Sequence, residues 1–145
     1  MRPSFSWSWA GTYRYNHSGF MPQPTPAVAF QMSISLGWFG RFSGKITEDD
    51  HGVPETALVQ GRVRGTRISF RKWYPSFWMA SESGENIRVP GLKPFVLYYR
   101  GDVTHDFAQV NGVWEIPAES RYINEQEWEF PAAAGTWDAA AQNKQ

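Results

Sequence analysis

Lys72 is the side chain whose position in the sequence is most suggestive of chemistry. It alternates with Ile68, Phe70 and Tyr74 within residues 66–74. Because successive side chains of a β-strand point to opposite faces, the ammonium group should share the face of these larger, mainly apolar residues. A buried lysine requires a partner or a lowered pKa. One interpretation is that it binds a ligand carboxylate or phosphate, or acts as a base. The other is that it reaches solvent at a barrel end, or pairs with a structural acid.

In several other segments, aromatic residues occupy the alternate positions whose side chains should also face inward. Tyrosine and tryptophan combine apolar rings with a few polar atoms, which is the usual composition of a small-molecule site. We therefore predict a binding pocket inside the fold, and the alternative is that the rings fill the interior completely. The predicted ligand-binding residues are Tyr13, Tyr15, Phe70, Lys72, Tyr74, Tyr99 and Trp114.

Residues typical of other chemistry are sparse. His105 and Asp106 follow a turn and could serve as a base and its orienting group. Neighbours on a strand face opposite ways, however, which favours an exposed loop histidine, and His17 and His51 are interpreted in the same way. The acidic segment 48–52 lacks the spacing of metal ligands, so we predict no metal and no cofactor. No Ser-His-Asp, HExxH, Walker or Rossmann pattern occurs.

The elements that must position these side chains are β-strands. The clearest pair of strands flanks a tight turn at Gly65, and along both strands apolar residues alternate with basic ones. Eight such segments need no crossover helix, and an antiparallel up-and-down barrel would remove their edges and enclose side chains or one small ligand. The predicted strands are 5–15, 27–37, 39–48, 56–64, 66–74, 95–101, 105–116 and 127–137.

The connections contain the irregular features. Residues 75–94 are predicted to form a long loop of the kind that often acts as a lid, with a turn of helix at 76–82. A second short helix is expected at 117–122. In the seventh predicted strand, the apolar residues of the first part are out of phase with those of the last part. A β-bulge at 108–109 would account for this shift, because it adds one residue to the strand.

The outward-facing side chains of the two strands that flank Gly65 are mostly basic. Arg62, Arg64, Arg67 and Arg71 form a stripe, which makes a nucleic-acid groove conceivable. A comparable acidic stripe occurs late in the chain, and opposite stripes on a chain of zero net charge favour pairing within the molecule or between subunits. We therefore predict no nucleic-acid partner. The acidic stripe consists of Glu115, Glu119, Glu125, Glu127 and Glu129.

These segments resemble calycin-type barrels, especially the avidin-like and lipocalin-like branch, and their pattern is similar to that of small bacterial proteins of this fold. The resemblance implies an all-β barrel with an internal site. The biotin-contacting set of avidins cannot be placed, and the Gly-x-Trp that lipocalins have near the N-terminus is absent there, so neither biotin binding nor secretion is implied. The segments that carry the resemblance are 9–13, 42–46, 50–52, 59–63, 68–74, 97–101, 112–116 and 135–137.

Composition agrees with an all-β domain, because aromatic residues make up 17% of the chain and 13 glycines and 10 prolines supply turns. There is no cysteine, so disulfides and thiol chemistry do not arise. No secretion signal and no membrane-spanning apolar run is seen, so we expect a cytoplasmic protein without a membrane partner. We expect one barrel domain over residues 1–138 and a disordered tail at 139–145.

The function that these observations favour is binding of a small, largely apolar molecule inside the barrel, with an anionic group of the ligand near Lys72. One alternative is a cofactor-free enzyme of the same fold, in which Lys72 or a tyrosine serves as acid or base for a cyclisation or isomerisation. Another is a non-catalytic module that forms a homodimer through the small Ser/Ala face of residues 27–37.

Overall fold

The fold is a closed barrel of eight antiparallel strands, as predicted. The computed structural model describes residues 5–16, 26–80, 85–123 and 125–142. The strands are β1 (Phe5–Tyr15), β2 (Val28–Leu36), β3 (Arg41–Glu48), β4 (Ala57–Arg64), β5 (Arg67–Trp73), β6 (Phe77–Ala80), β7 (Asn86–Val89), β8 (Val96–Val103), β9 (Gln109–Ile116), β10 (Glu119–Ile123), β11 (Gln126–Phe130) and β12 (Ala133–Ala141). The barrel order is β1-β12-β9-β8-β5-β4-β3-β2, and β2 closes on β1.

The first six predicted strands agree with the barrel strands to within two residues, but the last predicted strand is wrong. Residues 127–137 belong to two elements, β11 and β12, which are separated at Pro131. Proline has no N–H to donate to a sheet ladder, which explains the interruption. The final barrel strand continues to Ala141, so residues 139–141 form part of the barrel wall rather than a tail.

The helices predicted at 76–82 and 117–122 are also wrong. Their places are taken by β6, which pairs with β7, and by β10, which pairs with β11. The described residues contain one short 3-10 turn, Trp38–Gly40, and no helix long and apolar enough to cross a membrane.

The bulge predicted at 108–109 is a turn. Residues 104–108 lead into β9, and within them Phe107 has a φ of 57° and its N–H donates to the Thr104 carbonyl at 2.9 Å. The shift in the alternating pattern therefore occurs in this turn, before β9 begins. The predicted loop after β1 and His17 fall at residues 17–25, outside the described residues.

Aromatic side chains fill the barrel. Trp9, Trp114 and Trp137 are at most 2% exposed, and each indole N–H donates to a backbone carbonyl, at 2.9, 3.2 and 3.1 Å. Phe70 stacks on Tyr99 with 4.8 Å between ring centroids. The inward parity recognised in the sequence is therefore a continuous packed core.

One pair of glycines makes room for this core. Gly101 and Gly112 face each other across β8 and β9. A Cβ on Gly112 would lie 1.9 Å from the Arg100 carbonyl oxygen, and one on Gly101 would lie 3.2 Å from the Trp137 ring. The strands can approach so closely around the indole only because both side chains are missing.

The two ends of the barrel differ. At one end, called here the corner end, the connections are short and include the Trp38–Gly40 turn and the β4–β5 turn at 65–66. At the other, called the hairpin end, β3 finishes at Glu48, and the connections 74–95 and 117–132 carry the β6–β7 and β10–β11 hairpins. The polar cluster described next lies inside the hairpin end.

Candidate functional site

Lys72 is buried inside the barrel and pairs with Glu48. Its Nζ lies 2.8 Å from Glu48 Oε2, and the two side chains are 1% and 0% exposed. Of the interpretations open from the sequence, the structure matches pairing with an acid rather than contact with solvent. Taking two charges out of water is costly unless further hydrogen bonds complete the pair.

Glu48 receives those further bonds. Its Oε1 accepts from the Tyr13 hydroxyl at 2.7 Å and from the Val53 N–H at 3.0 Å, and its Oε2 accepts from Lys72 and from the Tyr74 hydroxyl. Burial raises the pKa of Glu48, but the charge of Lys72 and the hydrogen bonds outweigh it and hold the pKa below its ordinary value. The ionised carboxylate is therefore fully occupied by donors.

Lys72 is surrounded by tyrosine rings. Its Nζ lies 4.6, 5.2 and 5.5 Å from the ring centroids of Tyr13, Tyr74 and Tyr99, and it donates to the Tyr99 hydroxyl at 3.4 Å. Burial lowers the pKa of Lys72, and Glu48 opposes that shift only in part. The ring faces add a cation–π attraction that suits a desolvated ammonium group.

The Tyr13 and Tyr74 hydroxyls donate to Glu48, whereas the Tyr99 hydroxyl accepts from Lys72. Burial raises the pKa of Tyr13, Tyr74 and Tyr99 well above the ordinary value, and the negative charge of Glu48 adds to each shift. Burial likewise raises the pKa of Tyr15. All four phenols therefore stay protonated in neutral solution.

The seven residues predicted to bind a ligand do come together. Tyr15 packs edge-on against Trp114 at 4.9 Å, and Trp114 in turn lies 6.2 Å from Tyr99, which stacks on Phe70. Their rings touch one another, and within the described residues no buried side-chain nitrogen or oxygen lacks a hydrogen-bond partner. The space expected for a ligand is taken up by the side chains themselves, and ligand binding by this set stays a prediction.

Glu48 is the member of the cluster that sequence reasoning missed. The segment 48–52 was interpreted as an acidic turn. Glu48 nevertheless shares the inward parity of Phe42, Gly44 and Ile46, and all four lie on β3. Continuing the alternation by one step to the end of the strand would have identified the partner of Lys72.

The histidine and acidic candidates are surface features. His105 is exposed, and Asp106 accepts from the Thr104 hydroxyl at 2.7 Å and from the Ala108 N–H at 3.1 Å. His51 lies in an exposed turn, where its N–H donates to Asp49 at 2.9 Å. Within the described ranges no three His, Cys, Asp or Glu side chains are grouped as metal ligands.

A second candidate site lies on the outer surface of β3, β4, β5 and β8. The outward parity of these four strands carries seven basic side chains and one acidic side chain, Asp102. A surface concavity of about 1370 Å³ crosses them and continues over β9 and β12, where Glu115 also lines it. We call it the arginine groove, and its defining residues are Trp38, Phe39, Arg41, Arg62, Arg71, Tyr98 and Arg100.

The aromatic rim of the arginine groove is built by the Trp38–Gly40 turn. Phe39 is 85% exposed and has a φ of 59°, a conformation that non-glycine residues seldom adopt. Gly40 has a φ of 73°, and a Cβ at this position would lie 2.1 Å from the Val63 carbonyl oxygen. The turn is thus seated closely on β4, and it presents Phe39 and the half-exposed Trp38 to solvent.

Among the described residues of one molecule the basic and acidic stripes do not pair, and pairing between subunits stays a prediction. In the part of the chain that the structure describes, the ion pairs are Lys72–Glu48 and Arg121–Glu119, and neither joins the two stripes. Most of the acidic stripe lies on or beside the β10–β11 hairpin, which is not part of the barrel sheet. The Ser/Ala face of β2 is exposed, and its role in a dimer stays a prediction.

Comparison with known proteins identifies no family for this chain. No protein-family model matches the chain, and no curated protein matches it. Among solved structures, the chain is similar to a mutant of the vaccine antigen Transferrin Binding Protein B from Haemophilus parasuis, with 12% identity and a TM-score of 0.45. The match covers 99% of this chain and 28% of that one. The closed eight-stranded barrel is confirmed, whereas membership of the calycin family stays a prediction.

Proposed function

We propose that this protein is a binding module that recognises an acidic segment of a protein partner on the arginine groove. The observation that carries the proposal is the excess of exposed basic side chains on four neighbouring strands, next to exposed aromatic rings. Guanidinium groups form bidentate, charge-assisted hydrogen bonds with carboxylates. Arginine, tryptophan and tyrosine are also the residues that most often dominate binding energy at protein interfaces.

The charge distribution favours a protein partner over a nucleic acid. The chain has no net charge, and the acidic stripe lies outside the groove except for Glu115, which lines it. A long polyanion would meet both surfaces, and the acidic one would repel it. A short acidic segment with aromatic residues needs only the groove, where its carboxylates would meet Arg62, Arg71 and Arg100 and its rings would contact Phe39 and Trp38.

The test is a titration of a labelled peptide of alternating glutamate and tyrosine, followed by fluorescence anisotropy of the label. The wild-type protein should bind it, and Arg62→Gln with Arg71→Gln should weaken binding about tenfold or more, since each lost charge-assisted contact is worth roughly 1.5 kcal/mol. Arg14→Gln is the matched control, because Arg14 is exposed on β1, away from these strands, and it should change nothing.

Two outcomes would overturn this proposal. One is equal binding by the wild type and the groove variant. The other is an oligouridylate of equal charge that competes more strongly than the peptide, which would point to a nucleic-acid partner.

Binding of a small apolar ligand inside the barrel is the second candidate. The observation in its favour is the buried Lys72–Glu48 pair, since charged groups with shifted pKa values are concentrated at functional sites. A ligand carboxylate would have to replace Glu48 beside Lys72, and the aromatic rings would have to move apart. Calorimetry with dodecanoate tests this: saturable binding that Lys72→Met removes would support it, and no heat of binding would exclude this ligand class.

The enzymatic alternative requires the same opening of the barrel. Glu48 already accepts four hydrogen bonds, so it has no free lone pair directed at a substrate. Lys72 or a tyrosine could exchange a proton only with a molecule that first displaces this network. Binding of a ligand inside the barrel is therefore the step to establish before any reaction is sought.

A further inference from the structure

We infer that the β10–β11 hairpin of one copy of this protein binds the arginine groove of another copy, so that the molecules associate head to tail. This inference rests on the proposed function, because it names a source for the acidic segment.

The outer face of the hairpin has the required chemistry. Tyr122 lies opposite Glu127, and Ser120 lies opposite Glu129, so these four side chains project from one face of the two-stranded sheet. All of them are exposed, and Tyr122 is 73% exposed. The face therefore presents two carboxylates beside an aromatic ring, which is the complement of a groove lined by guanidinium groups and exposed rings.

The opposite face of the hairpin anchors it. Phe130 packs against Phe95 and Phe77, with ring centroids 5.1 and 6.0 Å apart. Arg121 lies 4.7 Å over the Phe95 ring, forms an ion pair with Glu119 at 2.6 Å, and donates to the backbone carbonyls of residues 93 and 94. A recognition element that is held in place loses little entropy on binding.

Within the described residues no ion pair joins the two complementary surfaces of one molecule, and the hairpin is far from the aromatic rim of the groove. The hairpin follows the last residue of β9 and lies at the hairpin end, whereas Phe39 lies at the corner end, beyond the first residue of β3. A strand of eight residues spans roughly 25 Å. A contact between different surfaces of two copies is heterologous, and it forms rings or open chains. Zero net charge removes the long-range repulsion that would oppose it.

The experiment measures the mass of the full chain by sedimentation and light scattering over a range of protein and salt concentrations. The wild type should associate as its concentration rises, and salt should reverse the association. Glu127→Gln with Glu129→Gln removes the acidic face, and Arg62→Gln with Arg71→Gln removes the groove. Each double variant alone should be monomeric, with association at least about tenfold weaker.

Mixing the two double variants is the decisive measurement. One retains an intact groove and the other an intact hairpin, so the mixture should form a 1:1 dimer that cannot extend. Asp138→Lys and Arg14→Glu change exposed charges on β12 and β1, and these controls should associate like the wild type. Circular dichroism of every variant verifies folding.

Three outcomes would overturn the inference: a wild type that is monomeric at all concentrations, double variants that still associate, or a mixture that stays monomeric. If the wild type is monomeric and the groove variant no longer binds the glutamate–tyrosine peptide, the proposed function stands and only the self-association is contradicted. If the groove variant keeps the peptide, the proposed function falls as well.

Discussion

Arg41 lies directly opposite Arg62 across β3 and β4, so two guanidinium groups project from the same face of neighbouring strands. Arg64 and Arg67 form a second like-charge pair across the β4–β5 hairpin. Like charges in this position destabilise a sheet. The same barrel neutralises its buried lysine with Glu48, whereas of these four arginines only Arg67 has an acidic residue, Asp102, directly opposite it. This arrangement supports the proposal that the surface serves recognition rather than stability.

Replacing Arg62 by threonine should therefore stabilise the protein and weaken its binding to the acidic peptide. Relief of the repulsion from Arg41 should raise the free energy of unfolding by about 0.2–1 kcal/mol. Urea denaturation at low ionic strength measures this, and the gain should shrink in high salt. Arg14→Thr is the control, because Arg14 lies opposite Thr136 and faces no like charge there. A destabilised Arg62→Thr with unchanged peptide affinity would contradict the expectation.

Replacing Lys72 by methionine should destabilise the protein strongly. The change leaves the Glu48 carboxylate buried without its cation, which typically costs about 3–5 kcal/mol. Adding Glu48→Gln to Lys72→Met should recover much of the loss, because no buried charge remains. Urea denaturation of both single variants and the double variant gives the coupling energy. Additive effects of the two changes would show that the ion pair does not act as a unit.

Acid should destabilise the protein through Glu48. The pKa of this carboxyl is lower in the folded protein than its ordinary value of 4.5, so the unfolded chain takes up the proton first as the pH falls. The stabilisation is fully present above that ordinary value and is lost as the pH falls through the lower folded-state value. The free energy of unfolding of the wild type should drop between about pH 5 and about pH 3, and Glu48→Gln should lose much of this dependence. An unchanged pH profile in that variant would assign the effect to other carboxylates.

Two glycines with positive φ make a matched pair for testing the Trp38–Gly40 turn. A Cβ on Gly40 would collide with the Val63 carbonyl oxygen, whereas one on Gly65 would meet nothing within 4 Å. Gly65→Ala should cost about 1 kcal/mol from backbone strain alone, and Gly40→Ala should cost clearly more. Only Gly40→Ala should also weaken peptide binding, because it displaces Phe39. Thermal and urea unfolding measure the loss of stability in each variant. If Gly40→Ala and Gly65→Ala lose the same amount, the turn is not seated on β4 as closely as the distances indicate.

Alternation of side chains was sufficient to predict the barrel. The inward-facing positions of β1 to β5 and β8 could be predicted directly from the sequence. Side chains of a half-buried strand alternate with a period of two, and each of these strands is bounded by turn residues. The same rule placed Lys72 in the interior. It did not reveal that the interior is full, because parity gives the direction of a side chain and not the diameter of the space that it enters.

The missed features depend on contacts that a single sequence does not display. In β10 and β11 apolar and polar residues alternate weakly, because one face is acidic and the other packs through Phe130 and the polar Arg121. A helix and a barrel strand were therefore predicted there instead. The position of Phe39 depends on two successive positive φ angles and on the close approach of Gly40 to β4. The possibility that the two charged stripes pair within one molecule was inferred from net charge, which carries no information about where in the fold the stripes lie.

The burial of tryptophan in this molecule provides an internal optical assay. Trp9, Trp114 and Trp137 are sealed in the core, whereas Trp38 is 49% exposed at the groove and Trp128 is 43% exposed on the hairpin. The last two should dominate the long-wavelength emission and be the most accessible to iodide. Shielding of Trp38 would report occupation of the groove, whether by an acidic peptide or by the hairpin of a second copy.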